Sequence, residues 1–195
     1  MNSEVIAMKT ILCKNDYNEL VNNIIKSGNE ANNTYELIGE CVSIPLASSN
    51  TVASIFDISD DFINEFSKAL QCIEHKEKIG PYIMDKYTFI IPSIKSAIKR
   101  FLDDCEETRR CIVKFPPEHC FQSVQFLLRE NTVNVVCHMR SCDAIKNLPH
   151  DAWLCSYMAD ILAESLNKCY NISPYKNHRV TMMFGSLHVY KEDVK

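Results

Sequence analysis

Ten cysteines in 195 residues are the first chemistry this sequence offers. No two stand in Cys-x-x-Cys spacing and nothing points to export, so neither a zinc site nor a disulfide framework is predicted. Most are expected to be small buried hydrophobes. A cysteine leaves that role as a thiolate, which needs cations nearby to lower its pKa. Arginines occur in compact groups, at Arg109-Arg110 and in Arg140-Ser141-Cys142-Asp143, and a local cluster of this kind can hold one phosphate. Carboxylates stand at Asp143 and Asp151, and His188 and Tyr190 are separated by one residue. Together these are materials for binding an anion and attacking it through sulfur.

The bulk properties narrow the class. With 46% hydrophobic residues the chain can bury a substantial core, and its length predicts a single α/β domain over residues 1–195. A formal net charge of -4 removes the broad basic field of a nucleic-acid binder, so no nucleic-acid partner is expected. Glu4, Lys9, Lys14 and Asp16 break up the apolar residues of the N-terminal stretch, so neither a signal peptide nor a membrane span is expected and a cytoplasmic location is the default.

Periodicity supplies the elements that must position those side chains. Phe62, Ile63, Phe66, Ala69 and Leu70 predict an amphipathic helix over Ser59–Cys72, with Ser59 or Asp60 as its cap. A second helix is predicted from Ser93 to about Glu107, with Pro92 at its start and Ile94, Ala97, Ile98, Phe101 and Leu102 as its stripe. It delivers the chain to Thr108-Arg109-Arg110. Three runs rich in β-branched and aromatic residues follow, the last two joined by a turn at Glu130-Asn131. From Asp151 to about Cys169 the pattern is that of a mostly buried helix. The stretch Arg179–Tyr190 reads as a strand interrupted at Gly185-Ser186.

Arg140-Ser141-Cys142-Asp143 followed by Leu148-Pro149 resembles the Arg-Ser-x-Asp and Leu-Pro-x-Asn region of thymidylate synthases and the related pyrimidine-nucleotide hydroxymethylases. Other landmarks follow the same order. Thr108-Arg109-Arg110-Cys111-Ile112-Val113 is similar to the family's Ser-Arg-Arg-x-Ile-Val, Gln125-Phe126 to its Gln-Phe, Gly80-Pro81-Tyr82 to its Gly-Pro-x-Tyr, and Gly185 to Tyr190 to its Gly-x-x-His-x-Tyr. The family reads Pro-Cys-His where this chain reads Pro117-Glu118-His119-Cys120-Phe121. Cys120 stands five residues before Gln125 and twenty before Arg140, as the family's nucleophile does, and strand register resists slipping. The resemblance therefore assigns Cys120 as nucleophile and implies a thymidylate synthase-like fold, a mixed β-sheet flanked by helices that dimerises sheet to sheet.

The chemistry so implied is addition of the Cys120 thiolate to C6 of a pyrimidine nucleoside monophosphate, which makes C5 able to attack the one-carbon unit of 5,10-methylenetetrahydrofolate. By resemblance, Arg140 and Ser141 hold the phosphate, and Arg109 and Arg110 reach the partner's phosphate across a homodimer. By the same resemblance Asp143 is a catalytic residue beside Cys120, Gln125 is a substrate-binding one, His188 and Tyr190 bind the sugar hydroxyl, and Glu65 is the catalytic general acid. No metal is implied. Arg109-Arg110 as a solvated pair at a helix end, His188-Tyr190 as a pair satisfied within the fold and Glu65 as a surface glutamate stay open.

The synthases carry Asn eight residues after the Asp of Arg-Ser-x-Asp, whereas this chain carries Asp151 eight after Asp143. An amide can donate to uracil O4 and accept from N3-H; a carboxylate can only accept, which suits a cytosine N4 amino group and a protonated N3. Asp at this place is what the cytidylate hydroxymethylases carry, so dCMP or CMP is the expected substrate. A helix N-cap is the alternative role of Asp151. No arginine stands near Asn32-Asn33-Thr34 where the family has one, Phe121 replaces its histidine, Lys146-Asn147 replaces an apolar-Gly pair near the folate, and five residues follow Tyr190. A thymidylate synthase acting on dUMP and a catalytically silent nucleotide-binding homologue are the rival readings.

Overall fold

The computed structural model describes residues 8–45, 47–74, 90–104, 108–170 and 177–194. Gly80-Pro81-Tyr82 lies outside the described residues, as do residues 105–107 at the end of the second expected helix. In chain order the elements are β1 (Lys9–Thr10), α1 (Lys14–Ser27), β2 (Asn29–Ala31), β3 (Thr34–Ile38), β4 (Cys41–Pro45), α2 (Ser49–Phe56) and α3 (Asp60–Glu74). Then come α4 (Ile90–Asp104), β5 (Ile112–Lys114), β6 (Phe121–Arg129), β7 (Thr132–Asp143), α5 (Leu148–Tyr170) and β8 (Asn177–Tyr190), followed by a 3-10 turn at Lys191–Asp193.

Among the described residues the strands form one eight-stranded mixed sheet, in the order β1-β4-β8-β7-β6-β5, with β3 also pairing β8 and β2 pairing β3. The expected mixed α/β architecture is what the chain adopts. β8 runs parallel to β7 and antiparallel to β3 and β4, so it is the centre of the sheet. α5 is the crossover between the two parallel strands and packs on both; α2 and α4 pack on α5, and α1 on β3 and β8. Trp153, Met158, Leu162 and Leu166 of α5 are at most 2% exposed, which explains why more than one of its faces is apolar. No described helix is long and apolar enough to cross a membrane.

Local chemistry explains several boundaries. Ser59 caps α3, its hydroxyl accepting from the Phe62 N–H at 3.3 Å. α4 begins at Ile90, earlier than its stripe suggests, so Pro92 sits in the first turn, where a missing N–H costs nothing. Glu130 and Asn131 both have positive φ, 50° and 60°, which gives the β6–β7 hairpin a two-residue turn matched to strand twist. β8 is not interrupted at Gly185-Ser186, as the sequence suggests, but runs through. A Cβ at Gly185 would lie 2.6 Å from the Arg140 carbonyl oxygen, so the glycine permits a close approach of β7 rather than a break.

The parallel pair also shows where the core ends. On β7 the buried positions are Val133, Val135, Cys137 and Met139, and on β8 Val180, Met182 and Phe184. Beyond Met139 and Phe184 the buried apolar positions change phase, to Cys142 on β7 and to Leu187 and Val189 on β8, and Ser141, Asp143, Ser186, His188 and Tyr190 alternate with them. Polar side chains thus gather at one end of the β7–β8 pair.

Candidate active site

Three backbone connections bring the predicted residues to that end. Phe121 of β6 pairs with Met139 of β7, and the register shifts between Phe121 and Ser123. Immediately before this bulge, the Cys120 carbonyl accepts from the Arg140 N–H at 2.8 Å. That contact sets the half-buried Cys120 Sγ 3.9 Å from the Ser141 hydroxyl. Ser141 is opposite Ser186 and Asp143 is opposite His188 in the parallel ladder. Cys120, Ser141, Asp143, Ser186 and His188 therefore occupy one patch across β6, β7 and β8.

Asp143 is 3% exposed, and its Oδ1 accepts from the N–H groups of Ile145 and Lys146 at 2.9 and 3.0 Å. It shapes the turn that leads into α5. The turn is fixed from outside by Tyr17 of α1, whose hydroxyl donates to the Ala144 carbonyl at 2.9 Å. Burial pushes the Tyr17 pKa up to about 12, with the charges of Asp143 and Cys142 adding to it, so this hydroxyl stays a donor.

α5 then places Asp151. The helix starts at Leu148 and the Asp151 N–H bonds the Asn147 carbonyl at 2.9 Å, so Asp151 lies inside the first turn and is not the N-cap that sequence alone allows. Its side chain is 2% exposed, with Cys142 Sγ 3.8 Å from Oδ2. A carboxylate is costly to bury, and its place in the first turn of α5, at the positive end of the helix dipole, offsets part of that cost.

Around the patch, the His188 and Tyr190 rings meet edge to face at 5.2 Å, and the Lys146 Nζ lies 5.2 Å from the Tyr190 centroid. Asp193 holds that ammonium at 2.6 Å and Glu192 at 3.7 Å. The Asp193 hydrogen bond is the main reason the Lys146 pKa is raised. Ser186 donates to Glu36 Oε2 at 2.6 Å. Tyr17, Glu36 and Asp193 are site neighbours that sequence reasoning missed; each comes from a segment far away in the chain or without periodicity.

Other expected residues have different surroundings. Gln125 pairs with Ile112 and Val136, and its Nε2 donates to the Arg109 carbonyl at 2.9 Å, so it braces the arginine segment. Val136 is out of phase with the buried positions of β7, which places Gln125 on the opposite face of the sheet. Arg109, Arg110 and Arg140 are exposed, and none is in an ion pair among the described residues. Glu65 is exposed on α3, while its neighbour Phe66 is 2% exposed against Trp153, the rings 5.0 Å apart. At the edge of α3 and α5, the half-buried rings of Phe62 and His150 are 4.3 Å apart. Eight cysteines have described side chains, all free. Cys111, Cys137, Cys142 and Cys155 are buried, and burial raises the Cys111 thiol to about 12, in keeping with an inert core role.

No protein-family model matches the chain. Deoxycytidylate 5-hydroxymethyltransferases of Enterobacteria phages T4 and T2 are each 38% identical to it over 72 residues, 36% of this chain and 29% of the relative. That of phage T6 matches over the same extent. The chain thus spans less than a third of the length of these relatives. Thymidylate synthase from T4 phage is a structural neighbour with a TM-score of 0.56 at 19% identity, covering 91% of this chain and 77% of that one. The likeness shows a shared fold.

Proposed function

Because fold and sequence together support a thymidylate synthase-superfamily protein near the hydroxymethylase branch, we propose that it is a related one-carbon transferase, a 5-hydroxymethyltransferase acting on CMP or dCMP. The observation that carries the substrate is Asp151, a carboxylate buried behind Cys142 where an amide would serve uracil. It accepts from the cytosine N4 amino group and a protonated N3 and has nothing to give to an O4.

In this reading Cys120 adds through sulfur to C6, and the electron pair displaced onto the ring makes C5 nucleophilic. Ser141 and the guanidinium of Arg140, in no ion pair among the described residues, hold the phosphate next to it, and His188 and Tyr190 take the sugar hydroxyl. Asp143 supports the site by fixing the 144–147 turn, and Glu65 supplies a proton from α3. Methylenetetrahydrofolate, when bound, supplies the one-carbon unit. Among the residues present, the tilted Phe62–His150 ring pair would offer it an aromatic surface, whereas the Lys146 ammonium is already held by Asp193 and Glu192. Arg109 and Arg110, on exposed backbone braced by Gln125, serve the phosphate of a second copy in a homodimer.

The deciding experiment incubates the protein with CMP, dCMP or dUMP, with and without methylenetetrahydrofolate, and weighs the products. A gain of one CH2O unit on a cytidine nucleotide, only with folate, is expected. A gain of CH2 on dUMP would mean a thymidylate synthase. Lys146, tied to Asp193 and Glu192, favours the second reading, a nucleotide-binding homologue without folate chemistry; binding with no mass change would establish that one.

A further inference from the structure

Glu36 stands on the site face and has no part in the reading above. β3 pairs antiparallel with β8, with Glu36 directly opposite His188, which in turn is opposite Asp143 on β7. Side chains directly opposite in neighbouring strands project from the same face, with Cβ atoms about 4.5–5.5 Å apart. Asp143, His188 and Glu36 therefore form a row across three strands, about 10 Å long at ordinary strand spacing. Ser186, the next residue of β8 on that face, donates to Glu36 Oε2 at 2.6 Å, and Oε1 has no hydrogen-bond partner among the described residues.

We propose that Glu36 is a further binding residue of this site, accepting from the hydroxyl edge of the substrate's sugar beside His188 and favouring a ribonucleotide over a deoxyribonucleotide. The proposal rests on the reading of His188 and Tyr190 as sugar contacts. A carboxylate acts here as acceptor, so its partner must be a donor. The phosphate of a nucleotide is an anion and repels it, and the N4 amino group belongs to Asp151 at the base end. The donors left for the His188 row are sugar hydroxyls. Ribose presents vicinal 2′- and 3′-hydroxyls, both within reach of a single carboxylate, whereas deoxyribose presents the 3′-hydroxyl alone. An acidic side chain on the 2′-hydroxyl is also how dinucleotide-binding folds hold ribose.

Calorimetric titration of CMP and dCMP into the whole chain, into Glu36→Gln and into Ser186→Ala tests this. Wild type is expected to bind CMP about tenfold tighter than dCMP, the scale of one hydrogen bond to a charged group. Glu36→Gln should bring the two affinities within about twofold of each other, chiefly by weakening CMP, while Ser186→Ala, which keeps the carboxylate, should preserve the preference. Thermal melts verify folding, and Glu36→Ala replaces the Gln variant if that one does not melt cooperatively. Equal wild-type affinities, a preference that survives in the Glu36 variant, or one lost equally in Ser186→Ala, which would make Glu36 a prop for Ser186, each overturns the proposal and leaves the nucleotide site standing. Failure of the folded wild type to bind either nucleotide removes the site reading and this proposal with it.

Discussion

In the proposed reading, Cys120 carries the chemistry and Asp151 the selectivity. Cys120→Ala should abolish product formation while leaving nucleotide affinity within a few-fold of wild type, because Sγ is half-buried and its neighbour in the patch is a hydroxyl 3.9 Å away rather than core. Product mass and calorimetry on one preparation check both halves. Asp151→Asn preserves size, so it tests hydrogen-bond polarity. If the carboxylate reads the N3/N4 edge, kcat/KM should move from cytidylate toward dUMP by about tenfold to a few hundredfold, the equivalent of about 1–3 kcal/mol for one mismatched group in a closed site. An unchanged preference in a folded variant would leave Asp151 as a residue that serves Cys142 and the helix turn. Its residue type was legible from the sequence; its 2% exposure was not, because an Asp after Pro149-His150 looks like a cap until the helix is seen to begin at Leu148.

At the level of elements, Asp160 joins three of them. From α5 it accepts from His178 Nε2 of β8 at 2.8 Å and from the Ser49 N–H of α2 at 2.9 Å. Burial raises its pKa, but the His178 and Ser49 hydrogen bonds outweigh that and hold it below the ordinary 3.8. A carboxylate with a depressed folded-state pKa stabilises fully above its unfolded value and loses that contribution as pH falls through the folded one. Asp160→Asn should therefore lower Tm by roughly 2–12 °C near neutrality, from about 1–3 kcal/mol, and the gap to wild type should close below about pH 4. A gap that persists in acid would assign the loss to packing. The sequence shows the elements that periodicity governs: α3, the body of α5, the β6–β7 hairpin and its turn. It does not show α1, whose buried Leu20 and Ile24 are diluted by polar neighbours, or the short strands β1 to β4. Nor does it show that Gly185 is a contact and not a break, since the Arg140 carbonyl that requires it lies 45 residues earlier. Placement of Tyr17, Glu36 and Asp193 at the site depends on topology, which local pattern does not encode.

For the whole molecule, the exposed Arg109 and Arg110 give the dimer reading its test. If each copy completes the other's phosphate site, mixing inactive Cys120→Ala with inactive Arg110→Ala subunits should restore about a quarter of the wild-type rate, as random pairing predicts for closed two-fold dimers. No recovery between folded, exchanging subunits would mean that each site is made by one chain. The central position of β8 bears on how such a molecule comes into being. It is synthesised after every other described strand, yet it is the strand that joins β3 and β4 to β7. On the ribosome, three part-sheets, β1–β4, β2–β3 and β5–β6–β7, must wait with open edges, a state exposed to wrong pairing and to chaperone capture. If His188 and Tyr190, which arrive on the same strand, hold the substrate's sugar as proposed, the site cannot form before the sheet is closed, and in a refolding experiment nucleotide binding should return no sooner than the slowest structural phase.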